Sequence, residues 1–191
     1  MKLNISARNP LLMIVGMPGS GKTSVARHLV QKGWHVIRFG EMTIREVKSR
    51  NLPVNEANER AVREELREMH GMDAYAKLWL PAILEYLSVG PTVIDGLYSW
   101  AEYKFLIQHF GNQMKVVAIY TNRPLRYARL SQRPDRPLSS EEAEQRDFAE
   151  IENVEKAGPI AIADYTLLND GSEEDLLLAA DRLVADHILG H

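Results

Sequence analysis

Residues 16 to 23 read Gly16-Met17-Pro18-Gly19-Ser20-Gly21-Lys22-Thr23, an order that fits the pattern G-x-x-x-x-G-K-[ST]. An apolar run, Leu11 to Val15, precedes this stretch, and a helical pattern follows it. Glycines let the chain turn so tightly that successive backbone N–H groups point inward, and the helix N-terminus adds its positive end. Strand, loop and helix together predict a phosphate-binding loop rather than a chance match.

The last two residues of this loop have predicted chemical roles. Lys22 would carry a positive charge to the outer phosphates of a nucleotide, and the hydroxyl of Thr23 would bind Mg2+. Mg2+ prefers a few oxygen ligands together with phosphate and water, which such a loop supplies. The predicted cofactors are therefore ATP and Mg2+.

The composition limits the class of protein. A chain of 191 residues with 45% apolar residues buries one sizeable core, so we expect a single domain over residues 1–191. The net charge is -3 and the sequence has no basic run, which argues against a nucleic-acid partner. The absence of cysteine is compatible with a reducing compartment, and we predict a cytoplasmic location.

The N-terminus imitates a secretory signal, with Lys2 and Arg8 ahead of the apolar residues Leu11 to Val15. That run is too short for a signal, and it breaks at Gly16 and Pro18. No other segment approaches the ~18 continuous apolar residues that a membrane-spanning helix requires. We therefore expect no membrane partner.

Short apolar runs alternate with longer helical patterns, which is typical of an α/β protein whose parallel sheet lies between two helical layers. Five runs are predicted as strands, and each should be buried on both faces because it is apolar nearly throughout. They are Leu11 to Val15, His35 to Phe39, Thr92 to Asp95, Val116 to Tyr120, and Tyr165 to Leu168.

Capping boxes mark the starts of two helices. Ser99 with Glu102, and Ser139 with Glu142, have the spacing at which a serine and a glutamate satisfy the first backbone N–H groups of a helix. A final helix is predicted to begin near Ser172, because an apolar stripe follows it.

Two segments are too long for a minimal alternation of strands and helices, and we expect substrate specificity to lie in them. The first, residues 41–87, has helical patterns, and Pro81 should kink or break the last of them. The second is residues 123–156.

An acidic residue ends one of the predicted strands, in the stretch Thr92-Val93-Ile94-Asp95-Gly96. At the carboxyl edge of a parallel sheet, Asp95 would face the phosphate loop and would hold a water of the Mg2+ shell or orient an acceptor. The alternative is that this carboxylate only caps the following turn.

Arginines recur at helical spacing in the second long segment, at Arg126, Arg129 and Arg133, and Arg136 follows. On one helix face they would approach the phosphoryl group, where phosphoryl transfer develops charge. The alternative is a solvated basic face. We select Arg129 and Arg133 as catalytic residues, together with Lys22 and Asp95.

The chain resembles the nucleoside monophosphate kinases. The resemblance rests on the phosphate loop, on Gly40-Glu41-Met42-Thr43-Ile44-Arg45-Glu46, on Asp95-Gly96, and on Arg129-Leu130 with Arg133. It is closer still to a group of kinase-like proteins related to adenylate kinase and dephospho-CoA kinase. The features shared with that group are Arg146-Asp147, Ala163-Asp164-Tyr165 and Asn169.

The resemblance implies a P-loop NTPase fold with strand order 2-3-1-4-5, an acceptor-binding insertion at 41–87 and a lid at 123–156. Arg45 and Asp95 would bind the acceptor, Thr23 and Asp95 would hold the metal, and Asn169 would lie near the adenine. The chain departs from adenylate kinase at Leu97-Tyr98-Ser99, where an arginine is missing, and at Glu41 in place of aspartate. Both departures argue against AMP as the acceptor. The nucleotide ligands that follow from motif and resemblance are Gly16, Pro18, Gly19, Ser20, Gly21, Lys22, Thr23, Ser24, Arg129 and Asn169.

The leading hypothesis is a kinase that transfers the γ-phosphoryl group of Mg-ATP to a small, nucleotide-like acceptor, acting as a monomer or a homodimer. One alternative is a hydroxyl acceptor, as in dephospho-CoA kinase, with Asp95 as the base. The other is an ATP-binding switch or assembly factor, with residues 41–87 as a protein interface. A strong, selective acceptor response distinguishes a kinase from a switch.

Overall fold

The computed structural model describes residues 9–97, 99–134 and 137–189. Five parallel strands form one sheet in the order β2-β3-β1-β4-β5, which confirms the predicted α/β fold and the 2-3-1-4-5 order. The strands are β1 (Leu11–Val15), β2 (His35–Arg38), β3 (Thr92–Asp95), β4 (Met114–Tyr120) and β5 (Tyr165–Leu168).

Helices connect and cover these strands, and the capping boxes predicted at Ser99 and Ser139 are both formed. The helix predicted to begin near Ser172 is present, and Ser172 caps it. The α-helices are α1 (Lys22–Gln31), α2 (Gly40–Ser49), α3 (Glu56–His70), α4 (Ala74–Val89), α5 (Trp100–Phe110), α6 (Arg123–Ser131), α7 (Ser140–Glu152), α8 (Ala157–Ala161) and α9 (Glu173–Leu183). A 3-10 turn at Gly111–Gln113 follows α5, and a π-helical turn at Val184–Ile188 extends α9.

The sheet separates two apolar clusters. Along β1, Leu11, Met13 and Val15 lie in the cluster covered by α4 and α5, while Leu12 and Ile14 lie in the cluster covered by α1 and α9. Every residue of β1 is buried. A strand between two helical layers has no solvent-facing side, which is why its sequence is apolar throughout.

The edge strands are less buried than the sequence predicts. β2 has one buried residue, Ile37, and β5 has one, Leu167. Leu168 at the end of β5 is 69% exposed. An edge strand lacks a neighbour on one side, so helices that cover the middle of the sheet do not cover it fully.

The first long segment folds as α2, α3 and α4, as its helical pattern predicts. Of the kink or break predicted at Pro81, the break is wrong, because α4 continues from Ala74 to Val89 with this proline inside it, and the kink stays a prediction. A proline in a helix costs about 3 kcal/mol. Burial of Trp79, Ile83 and Leu87 on the same helix offsets that cost.

The second long segment contains α6 and α7, which residues 132–139 connect. Because α6 ends at Ser131, Arg133 lies beyond the helix, and the predicted single face of arginines is not formed. Arg136 lies outside the described residues. Within the described ranges, no helix is long and apolar enough to cross a membrane.

Candidate nucleotide-binding and phosphoryl-transfer site

Three glycines of the phosphate loop adopt positive φ angles, 146° at Gly16, 80° at Gly19 and 101° at Gly21. A Cβ atom at Gly16 would lie 2.5 Å from the carbonyl oxygen of Ile119, and one at Gly19 would lie 2.8 Å from that of Arg126. Both the backbone conformation and the close packing therefore require glycine. The loop is held by β4 and α6 as well as by its own turn.

The loop leads into α1 with polar groups that lack protein partners. Gly21 is the N-cap residue and provides no side chain to cap the helix. The hydroxyl of Ser20 is buried without a hydrogen-bond partner among the described residues. Unsatisfied groups of this kind at a helix N-terminus suit the phosphate oxygens of a nucleotide. Ser24 lies in the first turn, where its amide donates to the carbonyl of Gly21.

Lys22 folds back onto the loop. Its ammonium donates hydrogen bonds to the carbonyl oxygens of Gly16 at 2.9 Å and Met17 at 3.0 Å. Burial of the ammonium, and secondly the positive charge of Lys156, lower the pKa of Lys22 to about 7. Phosphate oxygens would offer this ammonium the anionic partners that the two carbonyls do not.

Thr23 and Asp95 meet at the end of the sheet. The hydroxyl of Thr23 donates to Oδ2 of Asp95 at 3.1 Å, and Asp95 is only 7% exposed. These two oxygen ligands fit Mg2+, which takes one or two protein ligands together with phosphates and water. In the part of the chain that the structure describes, no group of three or more His, Cys, Asp or Glu residues forms a metal site on its own.

Arg38 is a candidate site residue that the sequence reasoning missed. β2 and β3 pair so that Arg38 lies beside Asp95, and its Nε is 3.9 Å from Oδ2 of that carboxylate. Its guanidinium also lies 3.4 Å from Glu41. The sequence feature that could have identified Arg38 is its position near the end of a predicted strand, because functional groups lie at the carboxyl edge of a parallel sheet.

Arg45 lies on the outer side of the same corner. It is 3.6 Å from Glu41, its side chain is 65% exposed, and its guanidinium lies 5.0 Å from the ring centre of Trp79. Glu41 therefore bridges Arg38 and Arg45. The structure brings Arg38 to Asp95, whereas Arg45 contacts neither Asp95 nor the phosphate loop in the described structure.

Arg129 and Asn169 come together at the ends of β4 and β5. The guanidinium of Arg129 donates to Thr121 and to the amide oxygen of Asn169, each at 3.4 Å. Asn169 is 4% exposed, and its side-chain NH2 donates to the carbonyl of Ser20 at 2.8 Å. Residues separated by 40 positions in the sequence thus meet beside the phosphate loop.

Arg126 has a different position from the other arginines. It is buried and donates to both oxygens of the buried Asp147, at 3.0 and 2.6 Å. It also donates to the carbonyl of Pro18 at 3.0 Å. Arg126 is therefore not part of a solvated basic face. It also shares no face with Arg129 and Arg133, because Arg126 is buried whereas Arg133 is exposed.

A charged cluster from α7 and the turn after it was also missed. Lys156 is 2% exposed and pairs with Glu150, which also accepts a hydrogen bond from Arg146 at 3.2 Å. Burial opposes ionisation of Glu150, but the positive charges of Lys156 and Arg146 outweigh it and lower its pKa to about 2. All three charges act on the pKa of Lys22, so the cluster lies beside the phosphate loop.

Comparison with known proteins shows the family. Residues 12–151 match the AAA domain family AAA_18. A UPF0200 protein of Thermococcus gammatolerans is 33% identical over 184 residues, which cover 94% of this chain and 96% of that protein. The chain belongs to the AAA domain family and to the UPF0200 proteins. A further UPF0200 protein, from Sulfurisphaera tokodaii, is 32% identical and covers 91% of this chain and 95% of its own length.

Solved structures with the same fold include kinases. TT1252 from Thermus thermophilus has a TM-score of 0.66 at 22% identity, with 94% of this chain and 99% of that chain covered. Shikimate kinase from Acinetobacter baumannii, in complex with shikimate, has a TM-score of 0.57 at 19% identity, with 96% and 97% covered. A gluconokinase from Sinorhizobium meliloti has a TM-score of 0.55 at 17% identity, with 91% of each chain covered. This UPF0200 chain therefore has a P-loop kinase fold, and its closer tie to adenylate kinase and dephospho-CoA kinase stays a prediction.

Proposed function

We propose that the chain is an ATP-dependent kinase that transfers the γ-phosphoryl group of Mg-ATP to a small, nucleotide-like acceptor. One observation carries the proposal: Oδ2 of Asp95 accepts the hydrogen bond of Thr23 and also lies 3.9 Å from Arg38. Thr23, a predicted metal ligand, and Arg38, a cation on the acceptor side, thus both lie against the buried carboxylate of Asp95. This arrangement suits a reaction in which a second substrate approaches the metal-bound phosphate.

The side chains of the site position groups and stabilise charge, which are the main requirements of phosphoryl transfer. ATP would supply the phosphoryl group, and Mg2+ would neutralise part of its charge. Lys22 would hold the outer phosphates, and Asp95 would hold a water of the metal shell or orient the acceptor. Arg129 and Arg133 would act as residues 123–156 close and exclude water.

A hydroxyl acceptor, as in a dephospho-CoA kinase-like reaction, is the second candidate. Asp95 favours it, since a buried carboxylate at the strand end is placed to accept the proton of a hydroxyl. The structural neighbours named shikimate kinase and gluconokinase also support it. Asp95→Asn separates the two candidates: with a hydroxyl acceptor it should lower kcat at every Mg2+ concentration, whereas a metal-shell role should shift the Mg2+ dependence.

The proposal is tested by measuring ADP formation across a panel of nucleoside monophosphates and hydroxylated small molecules, followed by kinetics of Arg45 variants. If Arg45 holds an acceptor phosphate, Arg45→Ala loses about 2 kcal/mol, roughly 30-fold in acceptor KM, with little change for ATP. Arg45→Lys should recover only part of this, because a point charge does not reproduce the planar guanidinium.

Arg50→Ala is the matched control, since Arg50 ends the same helix but pairs with Glu46 and Glu65 at the surface. Equal acceptor kinetics in all Arg45 variants would show that Arg45 is a surface residue. ATP hydrolysis that responds to a protein partner and to no acceptor would contradict the kinase and support the switch.

A further inference from the structure

Arg67, on the α3 helix of the 41–87 insertion, has an unusual environment for an arginine. Its side chain is partly buried, and its Nε atom is fully buried with no hydrogen-bond partner among the described residues. No carboxylate within the described ranges forms an ion pair with it. Its contact is with the ring of Tyr75, whose centre is 5.7 Å from the guanidinium carbon.

The other arginines between β2 and α4 all have carboxylate partners. These pairs are Arg38 with Glu41, Arg45 with Glu41, Arg50 with Glu46 and Glu65, Arg60 with Glu64, and Arg63 with Glu59. The insertion thus pairs its other arginines with carboxylates, whereas Arg67 forms no ion pair in the described structure and acts on Glu64, the partner of Arg60, only through its charge.

The buried Nε–H of Arg67 destabilises the folded protein, because it loses water without gaining an acceptor. The attraction between the cation and the tyrosine ring recovers part of this cost, but it does not satisfy the Nε–H donor. The presence of a residue that lowers stability in this way is explained if a ligand accepts hydrogen bonds from its guanidinium.

A short series of contacts connects Arg67 to the reacting centre. The hydroxyl of Tyr75 is hydrogen-bonded to that of Thr43 at 2.6 Å, and its ring is stacked on Phe39, with 6.4 Å between ring centres. The amide of Phe39 donates to the carbonyl of Asp95 at 3.3 Å. Arg67 therefore lies on the insertion, two aromatic rings away from the strand end that carries Asp95.

We propose that Arg67 binds an anionic group of the acceptor, a phosphate or a carboxylate, and thereby selects anionic acceptors. The inference rests on the proposed kinase function and assigns a chemical class to its second substrate. Arg63 lies one helical turn before Arg67 but is paired with Glu59. The anionic group bound here is distinct from the γ-phosphoryl group, because the side chain of Arg67 contacts Tyr75 and, among the described residues, no part of the phosphate loop.

Three variants test this inference. Arg67→Met keeps the length of the side chain without its charge, Arg67→Lys keeps the charge without the planar donors, and Arg60→Met is the control on the exposed side of α3. Arg60 has a side chain that is 71% exposed, so its loss should have little effect. Denaturant unfolding of the ligand-free proteins first establishes that each variant folds.

The first measurement uses protein saturated with Mg2+ and a non-hydrolysable ATP analogue, which occupies the phosphate loop. Inorganic phosphate and acetate are then titrated while the thermal unfolding midpoint is followed. We expect one of these anions to raise the midpoint of wild type and Arg60→Met but not of Arg67→Met, and the effective anion shows whether the group is a phosphate or a carboxylate. An equal rise in Arg67→Met, or no rise in wild type with either anion, would overturn the proposal.

The second measurement uses the acceptor that the panel identifies. Arg67→Met should raise acceptor KM about 10-fold or more with kcat and ATP KM within twofold, and Arg67→Lys should fall between it and wild type. Unchanged acceptor KM overturns the anion site and leaves the kinase intact. If anions bind in a manner that depends on Arg67 but no acceptor stimulates ADP formation, the kinase proposal is contradicted and the anion site stands.

Discussion

At the scale of residues, the ammonium of Lys22 is held away from water by the fold. Lys22 is partly exposed as a residue, yet burial of its ammonium is the largest cause of a pKa near 7, and Lys156 adds repulsion. Above about pH 7 the folded protein thus favours the neutral amine of Lys22, while the unfolded chain keeps the ordinary pKa of 10.5. A positive charge at Lys22 is therefore most favourable when phosphates are bound.

This difference in pKa predicts how stability depends on pH. Between pH 7 and 10.5 the unfolded chain binds more protons at Lys22 than the folded protein does, so this residue makes stability rise with pH. The slope is at most about 1.4 kcal/mol per pH unit. Lys22→Met should therefore be more stable than wild type near pH 7, and the difference should shrink by pH 9.

Urea unfolding of ligand-free wild type and Lys22→Met at pH 7, 8 and 9 checks this prediction. Lys32→Met is the control, because Lys32 is a surface residue of the same region that pairs with Asp181. A stability difference that stays constant with pH would contradict the lowered pKa.

Arg129 and Arg133 allow a kinetic prediction. Arg129 already lies beside Asn169 and the phosphate loop, and Arg133 follows the end of the same helix. If both strengthen their contacts with the transferred phosphoryl group, then Arg129→Ala and Arg133→Ala should lower kcat by roughly 100-fold, with ATP affinity changed much less. Steady-state kinetics with the identified acceptor decide, and full turnover in both variants would exclude a catalytic role.

At the scale of elements, Arg126 joins the phosphate loop to α6 and α7. Its guanidinium reaches the carbonyl of Pro18 on one side and the carboxylate of Asp147 on the other. Asp147 also accepts a hydrogen bond from Tyr127 at 3.3 Å. Because α7 carries Arg146 and Glu150 on either side of Asp147, this pair positions the charged cluster against Lys22.

Removal of one partner would leave a buried charge without compensation, which costs about 3–5 kcal/mol. We therefore expect Arg126→Met and Asp147→Leu each to lose that much stability. The double variant should lose less than the sum, because neither charge then remains buried. Urea unfolding of all four proteins gives the coupling energy, and additive losses would show that the pair does not act as a unit.

Short-range sequence patterns predicted the helices and strands well, but they contain no information on contacts between residues that are far apart in the sequence. Ser99 with Glu102 and Ser139 with Glu142 form their capping boxes because both partners lie within one helical turn. Arg126 and Asp147 are 21 residues apart and sit on two helices whose relative placement no local pattern contains. The sequence therefore predicted an arginine-rich face where the fold forms a buried ion pair.

At the scale of the whole molecule, the parallel sheet could be predicted because its inner strands are apolar throughout and because the resemblance implied their order. The exposure of β2 and β5 could not be predicted in the same way, since an edge position depends on the order of strands rather than on each strand's own sequence. The nucleotide side of the site followed from one contiguous motif. The acceptor side did not, because Arg38, Arg45 and Arg67 differ in burial and partners and only the packing of α2, α3 and α4 determines those differences.

The most direct test of the kinase assignment is to follow the γ-phosphoryl group itself, using ATP labelled at that phosphate, Mg2+ and the acceptor panel. Wild type and Lys32→Met should transfer the label to one selected acceptor. Lys22→Met should lose this transfer, because the lysine that holds the outer phosphates is then missing. Label that appears only as inorganic phosphate, at a rate independent of every acceptor, would contradict the account.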